Sequence, residues 1–157
     1  MHLYIRSYEH DRMYGNDGKC VKLDTLDIDQ KERVVTVDLS YIDNQRNDVH
    51  FVSYFRTNHT QGYKENNILL GSYDRDDKNG YPYPLVFSDY KTCAIFRIPH
   101  YDEDNAPACH LWVVGDRVRN VRRCCFFVYD LLCGPKRVEV YNRLRCEYEE
   151  QHDVAVE

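Results

Sequence analysis

The stretch Cys124–Cys146, CCFFVYDLLCGPKRVEVYNRLRC, holds four of the chain's seven cysteines, two of them adjacent. Neighbouring cysteines cannot easily bond to each other, so each must reach elsewhere in the chain or to a metal. Within the stretch, VRRCCFFVYDLL (121–132) carries apolar residues at 125, 128, 129 and 132, the spacing of one helical face. Gly134 and Pro135 then supply a helix stop. A cysteine-bearing helix late in the chain implies something upstream for it to be fastened to.

Upstream the pattern is different. HLYIRSY (2–8), CVKL (20–23), RVVTVDLSYI (33–42), VHFVSYFR (49–56), NILLGSY (67–73), YPLVFS (83–88), TCAIFRI (92–98) and CHLWVV (109–114) read as eight short strands. The polar segments between them, GNDG, DIDQKE, DNQRND, DRDDKNG and HYDEDNAP, read as turns. Hairpin-length connections predict a meandering antiparallel sheet that either closes into a barrel or folds into a sandwich. At 157 residues the chain forms one domain, placed at 1–146, with an acidic and flexible tail at 147–157.

Composition narrows the function classes. A formal net charge of -5 argues against a nucleic-acid binder. No run of eighteen apolar residues is present to span a membrane. The opening MHLYIRSYEH reads as a strand already under way, not as a signal peptide, which suggests a missing upstream segment. Zinc sites usually contain a Cys-x2-Cys pair, and none occurs. The cysteines, together with the sequon Asn58-His59-Thr60, point to a secreted, disulfide-bonded glycoprotein with no metal or other cofactor. No nucleophile–base spacing or phosphate loop marks an enzyme.

YGNDGKCV after the first strand, then CAIFRIP, CHLWVV and CCFFVYDLLCGPKRVEVYNRLRC, occur in the order found in the tick salivary lipocalins, a family that includes the histamine-binding proteins. The chain resembles them from Leu3 to Cys146. The resemblance implies an eight-stranded calyx with one C-terminal helix packed outside and stapled by disulfides. It pairs Cys20 with Cys146, Cys93 with Cys125 and Cys109 with Cys133, and leaves Cys124 unpaired, with a disulfide-linked dimer through Cys124 as an alternative to a monomer. The segment that precedes the first strand in the family is lacking here, which accounts for the odd cysteine.

With the bonded cysteines set outward, strand alternation sorts the remaining faces. Thr92, Ala94, Phe96, Ile98, His110, Trp112 and Val114 then point inward. Tyr4, Arg6 and Tyr8 share the inner side by family register. The same reasoning adds Phe51, Ser53, Phe55, Leu69, Tyr73, Tyr81, Tyr83, Leu85 and Phe87. The interior is aromatic with a few polar tips, suited to a small ligand with a flat or hydrocarbon body. Tyr8, Asp11, Tyr73 and Tyr81 match the amine site of the family in type or near-type. His110 stands where amine-binding members carry an acid, and Phe55, Tyr83 and Ala94 stand at the positions of the acids of their second site. Arg6 offers a cation for a carboxylate, so the lining leans toward a lipid or eicosanoid over a biogenic amine. Asp11 has a turn-capping role as its plainer reading, and the tyrosines could instead fill a closed core. A host protein such as a complement or clotting factor, gripped by external loops, is the alternative partner.

Overall fold

The computed structural model describes residues 1–103 and 105–153. Eight antiparallel strands follow one another around a closed barrel: β1 (His2–Arg6), β2 (Lys19–Asp29), β3 (Val34–Ile42), β4 (Asp48–Asn58), β5 (Ile68–Ser72), β6 (Tyr81–Ser88), β7 (Cys93–Arg97) and β8 (Cys109–Val113). Each strand pairs with the next, and β8 returns to β1 to close the ring. β2 runs past the short predicted strand to Asp29, because DTLDID pairs with β3 along its length.

The seam between β1 and β2 is incomplete. They pair only at His2 and Lys22, and a two-residue strand, β9 (Val138–Glu139), adds to β1 at Ile5 and Arg6 where β2 has diverged. Cys20 N–H then donates to the Val140 carbonyl, and Lys19 Nζ donates to that of Glu139. The chain after the barrel therefore plugs the gap that the first hairpin leaves.

Between β8 and β9 lies α1 (Arg123–Cys133). Gly134 ends it at φ 79°, a conformation open to a residue without Cβ, and its N–H caps the Asp130 carbonyl. Cys125, Tyr129 and Cys133 recur every four residues and form the buried stripe of the helix. That stripe lies on the outer face of β7 and β8, against Cys93, Ile95, Cys109, Leu111 and Val113. Disulfides join Cys93 to Cys125, Cys109 to Cys133 and Cys20 to Cys146, and Cys124 is free and exposed. A second helix, α2 (Arg143–Asp153), begins before the stretch read as an acidic tail, carries Cys146 and runs on into that stretch. Residues 154–157 of that tail, and Asp104 of the acidic 102–104 loop, lie outside the described residues.

Two bulges change the inward and outward assignment. The β1–β8 register slips between Leu3 and Ile5, so Leu3 faces inward opposite Trp112 while Ile5 faces outward opposite Leu111. Tyr4, expected inside, packs outside against Phe126 and Tyr141. The β6–β7 register slips between Leu85 and Phe87, which sends Phe87 out to the helix-side core. A bulge adds one residue and so exchanges the faces beyond it.

Candidate functional site

The barrel is hollow. Its cavity of about 200 Å³ is lined by Met13, Tyr14, Leu23, Thr25, Val35, Val37, Leu39, Phe55, Leu69, Tyr83, Phe96, Ile98, His110 and Trp112, with Met1 at one end. The walls follow the strand phase: Val35, Val37 and Leu39 alternate along β3, and Phe96 pairs with His110 across β7 and β8. The surface is almost entirely hydrocarbon and aromatic.

Of the ten candidate ligand residues, the structure places five in this lining: Phe55, Tyr83, Phe96, His110 and Trp112. Tyr8 and Asp11 stand behind His110, buried to 5% and 1% exposure. Asp11 caps the short helical turn at Arg12–Tyr14 by accepting from Met13 N–H at 3.0 Å. Its other oxygen accepts from the Tyr8 hydroxyl at 2.5 Å and lies 3.2 Å from His110 Nε2. His110 Nε2 is also 2.5 Å from the Tyr8 oxygen. The single tyrosine proton goes to the carboxylate, so the imidazole must be the donor toward Tyr8. Burial acts to raise the Asp11 pKa, but the bonds from His110, Tyr8 and Met13 outweigh it and hold the carboxyl below its usual range. Burial, then the Asp11 charge, pushes the Tyr8 hydroxyl far up. The turn-capping and pocket readings of Asp11 are thus both part of one buried network.

Arg6 does face inward, yet it does not reach the cavity. Its guanidinium is spent on the carbonyls of Tyr8, Glu9 and Asn16 at 3.1, 2.6 and 3.0 Å, and it lies over the Tyr8 ring. It ties the β1–β2 loop to β1. Arg6, expected to meet a ligand carboxylate, instead has its Nε and Nη2 taken by loop carbonyls and is not among the lining residues.

Tyr73 and Tyr81 are each 58% exposed at the rim, away from the cavity lining. Tyr73 packs on Phe51, and Tyr81 on His100. Together with Asp77 and Asn79 they border a separate surface crevice in the β5–β6 hairpin. Strand phase alone could not say how far along the barrel the hollow extends, and the structure does not bring these two expected ligand residues into it.

Sequence reasoning missed the β2 and β3 walls and the loop residues Met13 and Tyr14. The apolar positions 35, 37 and 39, alternating with Thr36 and Asp38, carried the signal for β3. Nothing in the local pattern announces that a three-residue turn should project Tyr14 into a barrel. One detail of the wall depends on Gly71: a Cβ there would stand 2.7 Å from the Phe55 ring and 2.8 Å from the Tyr83 ring. Both rings rest on bare backbone.

The one cluster of metal-type donors among the described residues, Asp89, Cys93 and Cys125, is engaged otherwise. Its sulfurs form a disulfide, and Asp89 accepts from Thr92 and from the backbone of Lys91, Thr92 and Cys93.

A closed antiparallel calyx with an external helix and an apolar interior is the lipocalin class of binding protein. The sequence profile described as tick histamine binding protein matches residues 1–148, and the chain belongs to that family of tick lipocalins. Among solved structures it is similar to Japanin from Rhipicephalus appendiculatus bound to cholesterol, with a TM-score of 0.61 and 20% identity over 92% of this chain and 93% of that one. No curated protein matches it in a direct sequence comparison.

Proposed function

We propose that this protein is a secreted lipocalin that sequesters a small host mediator of the lipid class, removing an inflammatory or haemostatic signal by stoichiometric binding. The observation that carries the reading is the apolar cavity, walled by residues of β2 to β8 together with Met13 and Tyr14 from the turn after β1. Its 200 Å³ falls below the roughly 300–1,000 Å³ of drug-sized pockets, so it takes a compact body or the end of a longer chain. Japanin's cholesterol is likewise mostly hydrocarbon with a single polar end. An amine is the weaker occupant, because the one acid near the lining, Asp11, already holds Tyr8, His110 and Met13. A buried ammonium without a carboxylate bears a large desolvation penalty.

Calorimetric titration with leukotrienes, fatty acids, a sterol, histamine and serotonin tests this. Saturable one-to-one binding of a lipid, with amines silent, is the expected result. Silence across the panel overturns it. Asn58 is exposed at the end of β4, as glycan attachment within its sequon requires, and a mass shift lost on Asn58→Gln checks that proposal.

A second reading rests on the outer side of α1, where Phe127 and Leu131 are 69% and 71% exposed in line with the free Cys124. An apolar stripe of this kind suits a protein partner, either a host factor or a second copy linked through Cys124. Pull-down from plasma and non-reducing electrophoresis distinguish the two, and a lone monomer in both removes this reading.

A further inference from the structure

Four buried side-chain polar atoms among the described residues have no hydrogen-bond partner: Arg6 Nη1, Arg56 Nε, Arg97 Nε and Tyr83 Oη. The three nitrogens belong to guanidinium groups bonded through their other atoms. Arg6 holds three carbonyls, Arg56 holds those of Glu32 and Arg75, and Arg97 holds Asp102. Tyr83 differs, because its hydroxyl is the whole of its side-chain polarity and none of it is used.

Tyr83 is 8% exposed and lines the cavity. Its ring is fixed edge-on to Phe55 and to His100, and rests on Gly71. Burial, then the charge of Asp11, pushes its pKa well above the usual tyrosine value, so the hydroxyl stays protonated and can both donate and accept. A buried hydroxyl left unpaired is destabilising, and native proteins leave few of them. No other lining side chain offers a free charge, and the α-ammonium of Met1 donates to the Leu23 carbonyl at 2.7 Å. His110, the one imidazole in the lining, has its Nε2 engaged with Tyr8 and Asp11, and Arg6 is held outside the cavity by carbonyls.

We propose that the part of the ligand held inside the barrel is uncharged and carries one hydrogen-bonding group, an alcohol or carbonyl, which the Tyr83 hydroxyl takes. This rests on the reading that the cavity is a ligand site and adds the chemistry of its polar end. Either an ammonium or a carboxylate inside would shed its water and meet no free side chain of opposite charge, whereas a neutral alcohol repairs an existing defect.

Four probes of one shape test it at pH 7: naphthalene, 2-naphthol, 2-(aminomethyl)naphthalene and 2-naphthoate, each titrated into wild type and Tyr83→Phe. Wild type is expected to bind 2-naphthol about tenfold tighter than naphthalene, the worth of one satisfied hydroxyl. Both charged probes should bind at least tenfold more weakly than 2-naphthol. In Tyr83→Phe the preference for 2-naphthol should fall to about one while naphthalene binds as before. A tenfold preference that survives in Tyr83→Phe, or a charged probe that equals 2-naphthol, overturns the proposal and leaves the cavity reading intact. Failure of all four to bind wild type removes the cavity reading and this proposal with it. Ligand-free Tyr83→Phe supplies an independent readout. It should melt at or above the wild-type temperature, since it deletes an unpaired group; a drop of several degrees would show that the hydroxyl already has a partner.

Discussion

β7 and β8 carry two different interiors on their two faces. Outward, Cys93, Ile95, Cys109, Leu111 and Val113 meet Cys125, Tyr129 and Cys133 in a dense layer crossed by two disulfides. Inward, Phe96, His110 and Trp112 border empty space. The same two strands thus supply a solid core to one side and a container to the other. Stability is concentrated where the helix sits, which frees the inner wall to be shaped for binding rather than for packing.

Breaking the outer layer should have the largest effect. Replacing Cys20 and Cys146 by serine opens a link across 126 residues, worth about 5 kcal/mol on a chain-entropy estimate; the link between Cys93 and Cys125, spanning 32, is worth about 4 kcal/mol. Denaturant midpoints of the two double variants should fall in that order. Next, Leu111→Ala beneath the helix should cost about 2–5 kcal/mol, because a packed site cannot collapse around the lost atoms. Its inward counterpart Phe96→Ala should cost less than half as much yet weaken binding of the proposed lipid at least tenfold. Equal stability losses at the two positions would erase the distinction between the faces.

The buried network gives a smaller effect with a definite pH sign. Asp11 has a folded pKa held below its unfolded value near 3.9, so its contribution is present above that value and is lost as pH falls through the folded pKa. Asp11→Asn should cost about 1–3 kcal/mol at pH 7 and should remove part of the acid destabilisation that wild type shows below about pH 4. Thermal melts from pH 7 to pH 2 check both. Smallest is His50, whose bonds to Asp38 and Asp48 raise its pKa. That contribution is complete below about pH 6.5 and disappears as pH rises through the raised value. Half exposed, it should be worth a few tenths of a kcal/mol, and His50→Gln should flatten stability across that interval.

The eight strands and the cysteine-bearing helix were readable because alternation and four-residue spacing are local properties. Faces were readable wherever a cysteine fixed the phase, as on β7 and β8. They failed at Tyr4 and Phe87, where a bulge adds one residue without any mark in composition. β9 escaped notice because two residues show no periodicity. Chemistry was legible by residue type but not by partner. Arg6 reads as a cation for a carboxylate and Asp11 as an amine-site match or a turn cap, and only the folded β1–β2 loop shows that carbonyls engage the one and that Tyr8 and His110 engage the other.

Gly71 sets a boundary that no lining side chain records. With hydrogen in place of a methyl, the floor under Phe55 and Tyr83 lies low enough for both rings to recline against it. Any larger residue would tilt them toward the centre, narrowing the chamber and swinging the tyrosine tip to a new bearing. The shape of the container, and with it the choice of guest, can therefore be retuned from the backbone without altering a single atom that touches the guest.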